Sequence, residues 1–146
     1  MLIKLILASM LVTLPLFAVE SIGIVTKVTD GDTLHVMISN KEEKVRILYI
    51  NTPEKYVGSK LNKDAKNAGI SANDEQELGK LASGYTSKFF QNGDKVILES
   101  NKKDQYERLL ATVSKNGGDY SNQIIKDGYA CIYKKAKYPH ELENVL

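Results

Sequence analysis

The chain has 146 residues, of which 42% are hydrophobic and 26% charged, with a formal net charge of +2. That balance excludes disorder as the default state and fits a single domain with one core. The charge is too slight to announce a nucleic-acid partner by itself, and a lone cysteine excludes an intramolecular disulfide.

The first residues read as an export signal. MLIK carries one positive charge, LILASMLVTLPLFA is apolar, and Ala18 offers a small side chain for cleavage. About fifteen apolar residues at ~1.5 Å each rise ~22 Å, short of the ~30 Å hydrocarbon thickness, and Pro15 interrupts them. Cleavage between Ala18 and Glu20 is therefore expected rather than a retained anchor. The expected organisation is a signal peptide over 1–18 and one domain over 19–146, secreted or periplasmic, with no membrane span once cleaved.

Within the domain, IGIVTKVT (22–29) alternates as a strand, and TLHVMI (33–38) alternates again after an Asp-Gly turn. KVRILYI (44–50) reads as a buried strand. Residues 55–73 show no period and are rich in Lys, Asn and Gly, so they read as a long loop. Its lysines, Lys55, Lys60, Lys63 and Lys66, read as a solvated face. NDEQELGKLASGYTSKFF reads as a helix capped by Asn73 or Asp74, with Leu78, Leu81, Ala82, Tyr85 and Phe89 at helical spacing and Asn92-Gly93 as its stop. DKVILES and RLLATVSK read as strands, followed by the turn NGGD and a short helix YSNQIIKDG closed by Gly128. YACIYKK reads as a short final strand with Cys131 as a buried small hydrophobe, and PHELENVL as a second amphipathic helix. The order implies a small β-barrel with helices packed outside it.

An unusual feature is the second carboxylate of TDGDT. A tight turn needs Asp30 and Gly31 but has no use for Asp32. If TLHVMI and KVRILYI pair around SNKEE, Asp32 faces Ile50, and Asp30, Asp32, Asn51 and Glu54 gather at one end of the hairpin beside carbonyls of a Pro53-stiffened turn. Such an oxygen cluster suits a hard cation such as Ca²⁺, whereas Zn²⁺ would want His or Cys. His35 and His140 stand apart and read as structural or surface residues. The same register puts Arg46 opposite Val36, about 13 Å from the cluster along a straight strand. Ordinary turns and strand exits use the same residue types, so the spacing leaves a purely structural role open.

TDGDT, RILYINTPE and DQYERLLATV, in this order, resemble the three active-site segments of the staphylococcal nuclease family, and the resemblance runs over nearly all of residues 21–140. It implies a mainly β, α+β fold, a five-stranded OB-like β-barrel with two to three packed helices. It also implies calcium-dependent hydrolysis of phosphodiesters in DNA and RNA by a monomer. Carried over by residue, Asp32, Asn51 and the Thr52 carbonyl would hold the ion, with Asp30 behind them. Glu54 would activate water, Arg46 and Arg108 would bind phosphate, and Tyr106 would lie against the nucleotide. The family usually has aspartate where this chain has Asn51, which removes one negative charge from the ion's ligands. Two other readings compete: a catalytically weakened barrel that binds single-stranded nucleic acid, and an envelope protein whose barrel binds protein or sugar.

Overall fold

The computed structural model describes residues 18–145; apart from Ala18, the expected signal peptide lies outside the described residues. The chain opens with β1 (Val19–Asp30), β2 (Thr33–Ile38), β3 (Lys41–Ile47) and a two-residue β4 (Ile50–Asn51). Two helices follow, α1 (Ser59–Ala68) and α2 (Ala72–Phe89), and then β5 (Lys95–Lys103), β6 (Leu109–Lys115) and β7 (Gly118–Asp119). The chain continues with α3 (Tyr120–Lys126), β8 (Cys131–Ile132) and a 3₁₀ turn at His140–Val145.

Strands run in the order β3-β2-β1-β5-β6, and a parallel pairing of β3 with β6 closes them into the expected five-stranded barrel. Its interior is filled by alternate residues of each strand, among them Val25, Leu34, Val36, Val45, Leu98 and Val113, all fully buried. Phe90 from the end of α2 and Tyr120 and Ile124 from α3 extend this core outside the barrel wall.

The β2–β3 hairpin departs from the expected register. Ser39 and Asn40 alone make the turn, both at positive φ (47° and 66°), so β3 starts at Lys41 and Thr33 lies opposite Arg46. Two-residue turns with both central residues left-handed match the twist of the strands they join, which favours this tight connection over the longer SNKEE loop. The consequence is large for the site: Arg46 moves from opposite Val36 to the mouth of the Asp-Gly-Asp turn.

KVRILYI is also not one strand. It breaks at Leu48 and Tyr49, where Tyr49 takes φ 69°, and resumes as β4, which pairs with β8 instead of with the barrel. Ile132 of β8 and Ala130 just before it are buried, so alternation turns Cys131 outward and exposes it, against the expectation of burial. Within the 139–146 pattern, His140–Val145 form a 3₁₀ turn, held by Leu142 in the core.

Residues 55–73 are not one long loop, since 59–68 form α1 and α2 begins at Ala72. Leu61 and Ala65, four apart, are buried on one face of α1, and Gly69 closes the helix in a left-handed cap. The frequent polar residues of this segment sit on its solvent side. The cap of α2 is Ser71, whose side chain accepts from the Asp74 amide, not Asn73 or Asp74. Its buried face is Glu75, Gly79, Ala82, Ser83 and Thr86, leaving Leu78 and Leu81 exposed. Small and polar residues face inward here because α2 packs against backbone, at the β4–α1 connection and the β1–β2 turn.

Candidate active site

One open cleft of about 730 Å³ lies where the β1–β2 turn, the end of β3, the β4 corner and the β5–β6 loop meet. All eight residues singled out from the sequence line it: Asp30, Asp32, Arg46, Asn51, Thr52, Glu54, Tyr106 and Arg108. Lys44, Lys60, Tyr49 and Tyr133 line it too and were not foreseen.

The Asp-Gly-Asp turn is held from both sides. Behind it, the Tyr120 hydroxyl reaches the Gly31 carbonyl at 3.2 Å and shares a 2.6 Å hydrogen bond with the Thr86 hydroxyl, so α2 and α3 both brace the turn. In front, Thr52 comes so close that a Cβ on Gly31 would sit 2.6–2.8 Å from its side chain. Glycine is needed here for space, which places the Asp32 carboxylate within reach of the 50–54 corner.

Asp32 is buried and fully engaged. Its Oδ1 accepts from the Thr33 hydroxyl at 3.0 Å, and its Oδ2 accepts from the Thr52 hydroxyl at 3.2 Å and the Thr52 amide at 3.4 Å. Arg46 Nη2 lies 3.1 Å from the same Oδ2 and also donates to the Ile50 carbonyl at 2.9 Å, while Nη1 donates to the Ile47 carbonyl at 2.7 Å. Arg46 thus ties the end of β3 to β4 and keeps its guanidinium at the cleft wall.

Asp30 sits beside Asp32, accepting from its amide at 3.2 Å. Burial first, and then the neighbouring Asp32 charge, push the Asp30 carboxyl up to about 6 from its ordinary 3.8. The two acids therefore crowd one another in a poorly solvated place that a cation would relieve.

On the opposite wall, Asp104 grips Arg108 through Nε and Nη2, each 2.8 Å from Oδ2, and accepts the Arg108 and Tyr106 amides through Oδ1 at 3.0 and 2.9 Å. Burial opposes the Asp104 charge, but these donors outweigh it and hold its carboxyl below the usual value. The loop needs Glu107 at φ 60°, a conformation glycine takes more readily. Tyr106 is 70% exposed, with the Arg108 guanidinium 5.5 Å from its ring centre.

Glu54 is fixed through its backbone and through both carboxylate oxygens. Its amide donates to Glu75 of α2 at 2.9 Å, its Oε1 accepts from the Tyr56 amide at 3.0 Å, and Lys60 Nζ lies 3.2 Å from its Oε2. Gly79 of α2 lets the Glu54–Lys55 backbone approach so closely that a Cβ would stand 2.5–2.7 Å from it. Glu75 and Lys60 were invisible as site residues in the sequence because only the existence of α1 and the true buried face of α2 bring them there.

The donor set has the chemistry of a hard-cation site. Asp30, Asp32, the Asn51 amide and the Thr52 carbonyl offer oxygen alone, and no His or Cys lines the cleft. Among the described residues no three His, Cys, Asp or Glu side chains converge on one point, so amide and carbonyl oxygens would have to complete such a set.

The sequence profile of the family described as staphylococcal nuclease homologue matches residues 44–146. Endonuclease YhcR of Bacillus subtilis is 33% identical over 115 residues, covering 76% of this chain but 9% of the relative. The thermonuclease of Staphylococcus intermedius is 32% identical over 109 residues, 73% of this chain and 56% of the relative. An uncharacterized endonuclease of Escherichia coli is 27% identical over 122 residues, 83% of this chain and 67% of the relative. The chain therefore spans under a tenth of the first relative's length and about half of the second's.

Proposed function

The chain belongs to the family of staphylococcal nuclease homologues, and from that premise we propose that it is an exported, calcium-dependent nuclease that hydrolyses phosphodiester bonds of DNA and RNA. The observation that carries the reading is convergence: Asp32, Glu54 and two arginines from separate segments line one cleft with room for a phosphate. The export component is supported by the apolar 1–18 segment, and no helix among the described residues is long and apolar enough to cross a membrane.

A phosphodiester repels an anionic or lone-pair attacker, and charge grows on its oxygens as the attack proceeds. Arg108 answers that charge with a planar, permanently charged fork that donates paired hydrogen bonds, and Arg46, its Nη groups held by Asp32 and the Ile47 and Ile50 carbonyls, adds a fixed positive charge at the cleft wall. Asp104 spends one edge of Arg108 and leaves the remaining donors for phosphate. Glu54 accepts a proton from the attacking water, and its backbone and side-chain contacts keep it from swinging away. Asp32, Asn51 and Thr52 would hold calcium, with Asp30 behind them; the ion, when bound, neutralises part of the phosphate charge. Tyr106, exposed at the rim, offers a face on which a base can stack.

The test is direct. Purified protein should degrade DNA with added calcium and stop with chelator. Glu54→Gln should lose about 10²–10⁴ of the rate while its thermal melt stays unchanged. Activity indifferent to chelator or to that substitution would overturn the mechanism. The reading as a weakened nucleic-acid binder draws on Asn51, and it gains if the protein binds single-stranded DNA but cleaves none at any calcium concentration.

A further inference from the structure

Lys60 lies in the first turn of α1, a turn with no acidic residue, where a cation runs against the helix dipole. Its placement does not serve the helix. Its ammonium instead reaches across to Glu54 Oε2 at 3.2 Å and is steadied on the other side by Asp64 Oδ2, one helical turn on, at 2.9 Å. Glu54 is mostly covered, with a side chain 17% exposed, and its other oxygen is already taken by the Tyr56 amide. Burial disfavours the Lys60 charge, but Asp64 and Glu54 together overcome it and raise its pKa above the ordinary lysine value.

The other charged groups around Glu54 are otherwise engaged. Lys55 Nζ donates to Ser83 of α2 at 2.8 Å, and Glu75 of α2 accepts the Glu54 amide. Lys63, further along α1, is exposed and does not line the cleft.

We propose that Lys60, braced by Asp64, is a positioning residue that holds the Glu54 carboxylate at its working place in the cleft. The inference rests on the proposed nuclease reading. It makes α1 part of the site: an element that buries only Leu61 and Ala65 carries the side chain that, among the described residues, pairs with Oε2 of Glu54.

The experiment is steady-state cleavage of a single-stranded DNA oligonucleotide at saturating calcium, with thermal melts recorded for every variant. Lys60→Met should lower kcat about tenfold or more with KM little changed. Lys60→Arg should restore most of the loss, and Asp64→Asn should fall between. Lys63→Met, which removes the same charge from the same helix, should match the parent. Four outcomes overturn the proposal: a parental kcat in Lys60→Met, an arginine variant as slow as the methionine one, an equal loss in Lys63→Met, or a loss confined to KM with a shallower salt dependence, which would make Lys60 a substrate contact. Glu54→Gln run alongside separates the two claims. If it stays active, the proposed function fails; if it is inactive while Lys60→Met is not, only the role of Lys60 fails.

Discussion

At position 51 an amide stands where the family resemblance calls for aspartate, and the loss of that charge falls beside two carboxylates of which Asp32 is already paired with Arg46. Calcium affinity scales with the charge of its ligands. Asn51→Asp should therefore lower the calcium concentration for half-maximal activity by at least about tenfold, equal to ~1.4 kcal/mol, read from a calcium titration of DNA cleavage. An unchanged titration would mean that Asn51 is not a ligand. Gly31 makes a second residue-scale test. A Cβ there meets Thr52 at 2.6–2.8 Å, so Gly31→Ala should cost about 1–3 kcal/mol of stability by chemical denaturation, and should part Asp32 from Thr52. The oxygen-bearing part of the candidate site, Asp30, Asp32, Asn51 and Glu54, was legible at this scale, because carboxylates after a glycine and a charged corner after a strand are local patterns, whereas Thr52, Tyr106 and Arg108 came through the family resemblance. The position of Arg46 was not legible. Its place depends on the turn at Ser39-Asn40, and neither residue is the glycine that usually marks a left-handed turn position.

Among the elements, α1 and α2 carry the clearest consequences. The β4–α1 connection rests on α2 at Gly79, where added volume has only backbone to push against. Gly79→Ala should lower cleavage more than it lowers the melting temperature, since it displaces Glu54 directly while the barrel core stays intact. A loss of activity no greater than the loss of folded protein would refute this. The helix α1 escaped detection because two buried residues among many polar ones give almost no periodic signal; Leu61 and Ala65 acquire meaning only once α2 is present to cover them. The same blindness misassigned the face of α2, where Leu78 and Leu81 looked like core and Gly79 and Ser83 are what pack. Hydrophobicity marks a buried face poorly when the neighbour is main chain. A third element-scale test concerns Lys115 of β6, which joins Asp94 at the start of β5 and the Phe89 carbonyl at the end of α2. The Gln91 amide, and then Lys115, hold the Asp94 carboxyl below its ordinary 3.8. The stabilisation is whole above that value and drains away as pH falls through the lower folded value. Asp94→Asn should flatten the decline of melting temperature below about pH 4 and lower it at neutral pH; parallel curves for the two proteins would exclude the pair from acid stability.

Across the whole molecule, a small β-barrel with helices outside it was readable from the order of short apolar runs and helical patterns, while its five-stranded, OB-like form came through the family resemblance. Register, the break at Leu48–Tyr49 and the side chosen by each helix were not readable, since each is settled by partners distant in sequence. Stability should follow the same division. Amides of Val45–Ile47 and Leu109–Ala111, in the pairing that closes the barrel, should exchange slowest with deuterium, and those of α1 among the fastest in a helix. Uniform protection across these segments would contradict a barrel that is rigid beneath a loosely attached helix.

The parallel seam between β3 and β6 puts Arg46 opposite Leu110, one strand away from the loop that bears Arg108. More than sixty residues of chain separate the two arginines, and the latter strand must seat before they can share a phosphate. A polypeptide still emerging from the ribosome, with Glu54 already made but the last strand of the barrel unsynthesised, has no finished cleft. On the proposed activity, the growing chain is harmless to the messenger that encodes it, and cutting power requires that β6 be made and paired with β3.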